Sequence, residues 1–210
     1  MYLGAVIFDV AVVGGGLIGG AIARVLAAAG RRVAVVEPGP LCRGASWAAA
    51  GMLGAPLEHE APHALRELCR RSRALFPDWV AALREETGID PEFARAGSLW
   101  VALDEEDEPW LEAARAAAGD DVPVERVDPE ALARWEPWLS PSCRGALHLP
   151  DDARVNNRRL CEAVAASLEA RGVALWLGRP AAGLVRDGSA VAGVRLGGGA
   201  VVHAGAVVLA

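Results

Sequence analysis

Three glycines, Gly14, Gly16 and Gly19, constrain this chain more than any other feature, because they sit at the joint between two segments of different periodicity. Ala5 to Val13 is a short run rich in β-branched residues, and Leu17 to Ala29 reads as a helix that Gly30 ends. Arg32 to Glu37 then reads as a second buried strand, which closes on an acid and is stopped by Pro38-Gly39-Pro40. Together they form one βαβ unit, and in that setting Gly14-x-Gly16-x-x-Gly19 is the dinucleotide fingerprint. Gly14 permits the tight turn, Gly16 lets backbone N–H groups approach a pyrophosphate at the positive helix end, and Gly19 lets the helix lie close on the strand. Gly15, Leu17 and Ile18 complete that turn. Glu37, about 20 residues further on, sits where a carboxylate accepts both hydroxyls of an adenosine ribose and repels a 2′-phosphate, which disfavours NADP. The fingerprint alone does not choose between NAD and FAD.

The residues after Glu37 bear on that choice. Gly44-Ala45-Ser46-Trp47-Ala48-Ala49-Ala50-Gly51-Met52-Leu53 is a small-residue segment. Its spacing is equally compatible with a backbone passing beside a flat ring and with a tightly packed core helix, and Ser46 could cap a turn or reach a phosphate.

Bulk properties exclude several classes. The 27 acidic and 21 basic residues give a net charge of −6 with no long basic run, so no nucleic-acid partner is expected. The apolar stretch 10–30 is interrupted by glycines, and Asp9 and Arg24 bracket only 14 residues of it. A membrane span needs roughly 17 to 25. No basic segment precedes it, so neither a span nor a signal peptide is expected and cytoplasmic residence is the default. Cys42, Cys69, Cys143 and Cys161 lack any CxxC spacing and read as reduced packing residues. His59-Glu60-Ala61-Pro62-His63 matches HExxH in letters, but Pro62 breaks the helix that a zinc site requires, so no metal is expected. His148 and His203 read as structural histidines in strands. No serine stands in a Gly-x-Ser-x-Gly setting, which removes hydrolase readings.

The fingerprint from Asp9, the acid Glu37 and the run Ala45-Ser46-Trp47-Ala48-Ala49-Ala50-Gly51-Met52-Leu53 together resemble the D-amino-acid oxidase superfamily, above all the glycine oxidases of thiamine biosynthesis. The resemblance implies FAD as cofactor, with its pyrophosphate on Gly14, Gly15, Gly16, Leu17, Ile18 and Gly19, its ribose on Glu37, and its pyrophosphate and ring along Ser46, Ala49, Ala50, Gly51 and Met52. It implies an α/β fold: a Rossmann-like FAD-binding domain with a parallel sheet and a β-meander, over 1–88 and 151–210, and the first part of an inserted α+β substrate or cap domain over 89–150. The implied reaction is oxidation of glycine or a related small amine or D-amino acid to the imine, with oxygen as acceptor.

Other segments are legible beside that likeness. Residues 64–73 and 78–87 read as two amphipathic helices flanking Pro77. Gly97 to Leu103 reads as a strand, 104–118 as an acidic helix start and helix, 122–127 as a strand and 129–134 as a helix. The tryptophans of this region read as core or interface anchors in preference to substrate contacts. Asn156-Asn157 stands where the family commonly has Asp-Pro, but asparagine still caps the helix expected to run to Ala170. Gly172 to Trp176 reads as a strand, and the resemblance implies that the adenine edge is held at Ala181. Turns at Asp187-Gly188 and Gly197-Gly198-Gly199 separate three strands of a meander, 181–186, 191–196 and 200–203. Ala206 to Ala210 is a further apolar strand that stops without a turn. The resemblance implies a second half that carries the arginine and tyrosine for the substrate, so the chain is expected to be the N-terminal part only and no catalytic residue is nominated. Two alternatives stay open: a non-catalytic FAD-binding fragment completed by a second polypeptide, and an NAD-dependent enzyme. An exposed last strand favours association, as a homo-oligomer or with a complementing C-terminal chain.

Overall fold

The computed structural model describes residues 6–54, 63–118 and 122–210. In chain order its elements are β1 (Ile7–Val13), α1 (Leu17–Ala28), β2 (Val33–Glu37), α2 (Ala45–Ala48), β3 (Met52–Leu53), α3 (His63–Thr87), β4 (Ser98–Ala102), α4 (Glu108–Ala118) and β5 (Glu125–Val127). There follow α5 (Pro129–Trp135), β6 (Gly145–Leu149), β7 (Ala153–Arg154), α6 (Asn157–Ala170), β8 (Ala174–Leu177), β9 (Ala181–Asp187), β10 (Ala190–Leu196) and β11 (Val201–Leu209). They divide into two compact units: Met1–Ala50, Val80–Pro91 and Asn156–Ala210 in one, Gly51–Trp79 and Glu92–Val155 in the other. The second unit takes in 51–79 as well as 92–150 of the 89–150 segment marked out by the sequence. Two local ties explain this: β3 pairs with β7 through Met52 and Arg154, and Arg73 bonds Asp152 at 2.9 Å. His59 to Pro62 and Tyr2 lie outside the described residues.

In the first unit the apolar runs become central strands. The order is β8-β2-β1-β11-β10-β9, with β8, β2, β1 and β11 parallel and β11, β10 and β9 antiparallel. Fully buried Ala11, Ala34 and Val36 of the parallel strands share one core cluster with Val194, Leu196, Val202 and Ala204 of β10 and β11. The sequence suggests separate strands at 200–203 and 206–210, but β11 is one strand. It pairs antiparallel with β10 through Val201 to His203 and parallel with β1 from His203 to Leu209. Ala204-Gly205 carries no turn chemistry, so the chain changes partner without changing direction.

Helix α1 packs on α6 so closely that a Cβ on Gly20 would lie 2.6 Å from Val164 Cγ1. Asn156 caps α6, its side chain accepting from Arg159 N–H at 3.3 Å. The expected pair of helices around Pro77 is a single helix, α3. Proline removes one N–H and crowds the preceding turn, costing about 3 kcal/mol. Burial of Val80 and Leu83 beyond it offsets that, and a helix formed on both sides of a defect need not nucleate twice.

Glu86 of α3 ties α1 and α6 together. One carboxylate oxygen accepts from Arg24 Nη2 at 2.8 Å and from Ser167 Oγ at 2.9 Å, and the other meets Arg171 Nε at 2.6 Å. Burial pushes the Glu86 carboxyl up, but the hydrogen bonds from Arg24, Ser167 and Arg171 outweigh it and hold the group below the ordinary 4.5. Because the folded value lies below the unfolded one, the network stabilises the fold fully above the ordinary glutamate range and loses that contribution as pH falls through the folded value. Urea unfolding of the parent and Glu86→Gln should therefore differ most at neutral pH, and the gap should narrow as pH falls below the ordinary glutamate range. A gap that does not change with pH would contradict this reading of the network.

In the second unit, among the described residues, β4, β6 and β5 form an antiparallel sheet covered on both faces. Strand alternation sends Leu147 and Leu149 to pack with Leu111 and Ala114 of α4, and Ala146 to pack with Leu132 of α5. Trp100 stacks on Trp110 at 4.9 Å, and Trp135 meets His148 edge-on at 5.5 Å, so these tryptophans are anchors between sheet and helix. His148 is satisfied by Glu125 at 3.0 Å. No helix among the described residues is long and apolar enough to cross a membrane.

Candidate cofactor-binding site

The glycine turn is built by the end of β1. Gly14 adopts φ +108°, closed to most side chains, and its N–H donates to Val36 C=O at 2.9 Å. Gly16 is the N-cap of α1, and the first intrahelical bond runs from Gly20 N–H to Gly16 C=O. The N–H groups of Ile18 and Gly19 therefore precede the helical ladder and point from the positive helix end. A Cβ at Gly19 would overlap the Gly14 carbonyl oxygen, so only glycine lets helix and turn meet there.

Two side chains from distant sequence lock this turn. Glu37 Oε2 accepts from Gly15 N–H at 2.7 Å, and its Oε1 accepts from Gly39 N–H at 3.0 Å. A carboxylate has about four lone-pair sites, so both oxygens retain acceptor capacity for ribose hydroxyls. Ser46 Oγ accepts from Leu17 N–H at 3.0 Å, capping α1 from α2 although Gly16 offers no side chain for the task. Ser46→Ala should cost about 1 kcal/mol, the usual worth of an N-cap, read as a shift in the urea midpoint; an unchanged midpoint would show the bond to be idle.

Three residues outside the expected cofactor contacts complete the frame. Asn157 Nδ2 donates to both Ser46 C=O and Trp47 C=O at 2.9 Å, which fixes α2 on the start of α6. The departure of Asn156-Asn157 from the expected Asp-Pro was the available signal. Cys42, at φ +57°, donates its N–H to Gly15 C=O at 2.8 Å. Burial first, and the neighbouring Cys161 second, push its thiol up to about 12, so it packs as a neutral thiol. Arg179 N–H donates to Glu37 C=O at 3.1 Å, which carries the chain past the acid two residues before Ala181. Ala181, exposed at the start of β9, is thereby brought towards the Glu37 end of the turn.

The small-residue segment is partly helix and partly extended. Ala49 and Ala50 follow α2 in exposed positions, while Gly51, at φ +79°, and the exposed Met52 belong to the second unit. The segment is not a tightly packed core helix: α2 is a single turn with no buried residue. Among the described residues, no group of three or more histidine, cysteine or acidic side chains could hold a metal ion.

A turn free of side chains, unspent helix N–H groups and an acid with acceptor capacity fit a dinucleotide. The family model described as DAO, FAD dependent oxidoreductase, matches residues 9–210. The chain belongs to this family. Its members are FAD-dependent oxidoreductases, which decides the cofactor between NAD and FAD that the fingerprint left open. The glycine oxidase of Geobacillus kaustophilus is 38% identical over 171 residues, covering 80% of this chain and 45% of that protein. The bifunctional protein ThiO/ThiG of Trichormus variabilis is 32% identical, covering 92% of this chain and 29% of that one. The crystal structure of glycine oxidase from Geobacillus kaustophilus superposes with a TM-score of 0.90 at 36% identity, covering 97% of this chain and 55% of that one. The chain spans about half the length of the glycine oxidases it matches.

Proposed function

We propose that this DAO-family chain carries the FAD-binding part of an oxidase acting on glycine or a closely related small amine or D-amino acid, with oxygen as acceptor. The observation that carries the reading is the lock of Glu37 and Ser46 on the Gly14–Gly19 turn, in a chain 38% identical to a protein named glycine oxidase. Gly14, Gly15, Gly16, Leu17, Ile18 and Gly19 would receive the pyrophosphate, with Glu37 at the ribose and Ala181 at the adenine. Ser46, Ala49, Ala50, Gly51 and Met52 would line the path towards the ring. The unit with the glycine turn would be the FAD-binding domain, and the unit with the β4-β6-β5 sheet the start of the substrate cover.

Bound flavin supplies the redox chemistry, accepting a hydride equivalent from the amine carbon. The residues of this chain orient and retain it: the helix end faces the phosphates, and the acid fixes the ribose. No acid–base pair is required of them, and no residue here is assigned to catalysis.

The test is the visible spectrum of the purified chain after incubation with FAD, followed by anaerobic glycine, sarcosine and D-alanine. Flavin bands that co-elute with protein and bleach with one amine support the oxidase. Bands that persist with every amine favour an FAD-binding fragment completed by a second polypeptide. Absence of bound flavin would overturn the reading.

A further inference from the structure

The charges around the turn do not balance for the ligand it suits. A pyrophosphate brings two negative charges, and Glu37 adds a third close by. Residues 14–19 and 44–50 contribute no charged side chain at all. The end of α1 offers only about half a positive charge. A cation near α2 would offset the remainder.

Two stand there. The Arg43 guanidinium lies 3.7 Å from the centroid of the Trp47 ring, and that of Arg158 lies 5.4 Å from it. Both residues are exposed, and among the described residues neither has an ion-pair partner. Most other arginines with a described polar contact are held by carboxylates, as Arg24, Arg73 and Arg171 are. Arg43 also follows Cys42, whose N–H is bonded to Gly15 C=O, and Trp47 follows Ser46, whose hydroxyl caps α1. Both ends of the Arg43–Trp47 stack are thus fixed to the turn itself. Stacking on indole orients a guanidinium and leaves its edge donors open to an anion.

We infer that Arg43, steadied by Trp47, is a positioning residue that supplies the counter-charge for the cofactor's pyrophosphate, with Arg158 reinforcing the field. The inference rests on the FAD reading above. Removing the guanidinium weakens ligands that carry the pyrophosphate and spares those that lack it.

The experiment measures binding of FAD, ADP and adenosine to the chain and to Arg43→Ala, Arg43→Lys and Arg158→Ala, ADP and adenosine by displacement of FAD. Arg43→Ala should weaken FAD and ADP about tenfold and leave adenosine within about twofold. Arg43→Lys should recover part of the loss, and the salt dependence of ADP binding should flatten in Arg43→Ala. An equal loss for adenosine, or ADP binding within twofold of the parent, would overturn the inference while leaving the cofactor reading intact. A parent chain that binds no FAD would overturn both.

Discussion

Gly19→Val should abolish FAD binding, raising the dissociation constant more than about 100-fold, while the chain keeps its helical content. Even a single β-carbon at this position overlaps the carbonyl oxygen of Gly14, and it would also lie 3.3 Å from Ala210 Cβ. Valine adds two methyl groups to that clash. The first turn of α1 must lift from β1, which moves the N–H groups of Ile18 and Gly19 away from any phosphate. It also disturbs the lock between Gly15 N–H and Glu37, because that bond spans the same turn. Overpacking of a close backbone contact costs about 1–3 kcal/mol or more, enough to account for the affinity. Quenching of FAD fluorescence gives the affinity and far-ultraviolet circular dichroism the helix content. Retention of binding within threefold would show that the turn is not the cofactor site.

Glu37→Ala should produce the next largest effect, a loss of about 100-fold in FAD affinity. The carboxylate holds two backbone donors, Gly15 N–H at 2.7 Å and Gly39 N–H at 3.0 Å. Hydrogen bonds to a charged group contribute about 1.5–3 kcal/mol each, and removal of the acid releases the turn and the stop after β2 together. Glu37→Gln keeps the shape and one acceptor, so it should fall between the parent and the alanine variant. The outcome that contradicts this account is an alanine variant as tight as the parent, since neither the turn nor the ribose would then depend on the acid.

Much of this site was legible because its logic is local. Hydrophobic runs, three glycines and an acid at the right distance define β1, α1, β2 and the turn, and each is set by backbone sterics within a few residues. Ser46 was legible as a capping residue, although its sequence position gave no sign that it caps α1 from 29 residues away. Asn157 was read only as part of a helix start, yet its amide holds α2 in place. The Glu86 network was not legible at all, since it joins three helices that are far apart in sequence. Pro77 misled for a related reason: its local penalty is real, but burial of Val80 and Leu83 outweighs it. The partner change along β11 was hidden because a strand with no turn in it looks the same whichever neighbours it has.

That strand also bears on how the family can vary. β11 holds β10 through Val201 to His203 and β1 through His203 to Leu209, so a residue inserted or deleted anywhere along it would break one of these registers and turn core side chains outward. The turns at 188–189 and 197–199 answer to one hairpin each and can lengthen freely. Length differences among descendants of this fold should therefore gather in those turns and spare β11, making it the fixed ruler against which the rest of the domain drifts.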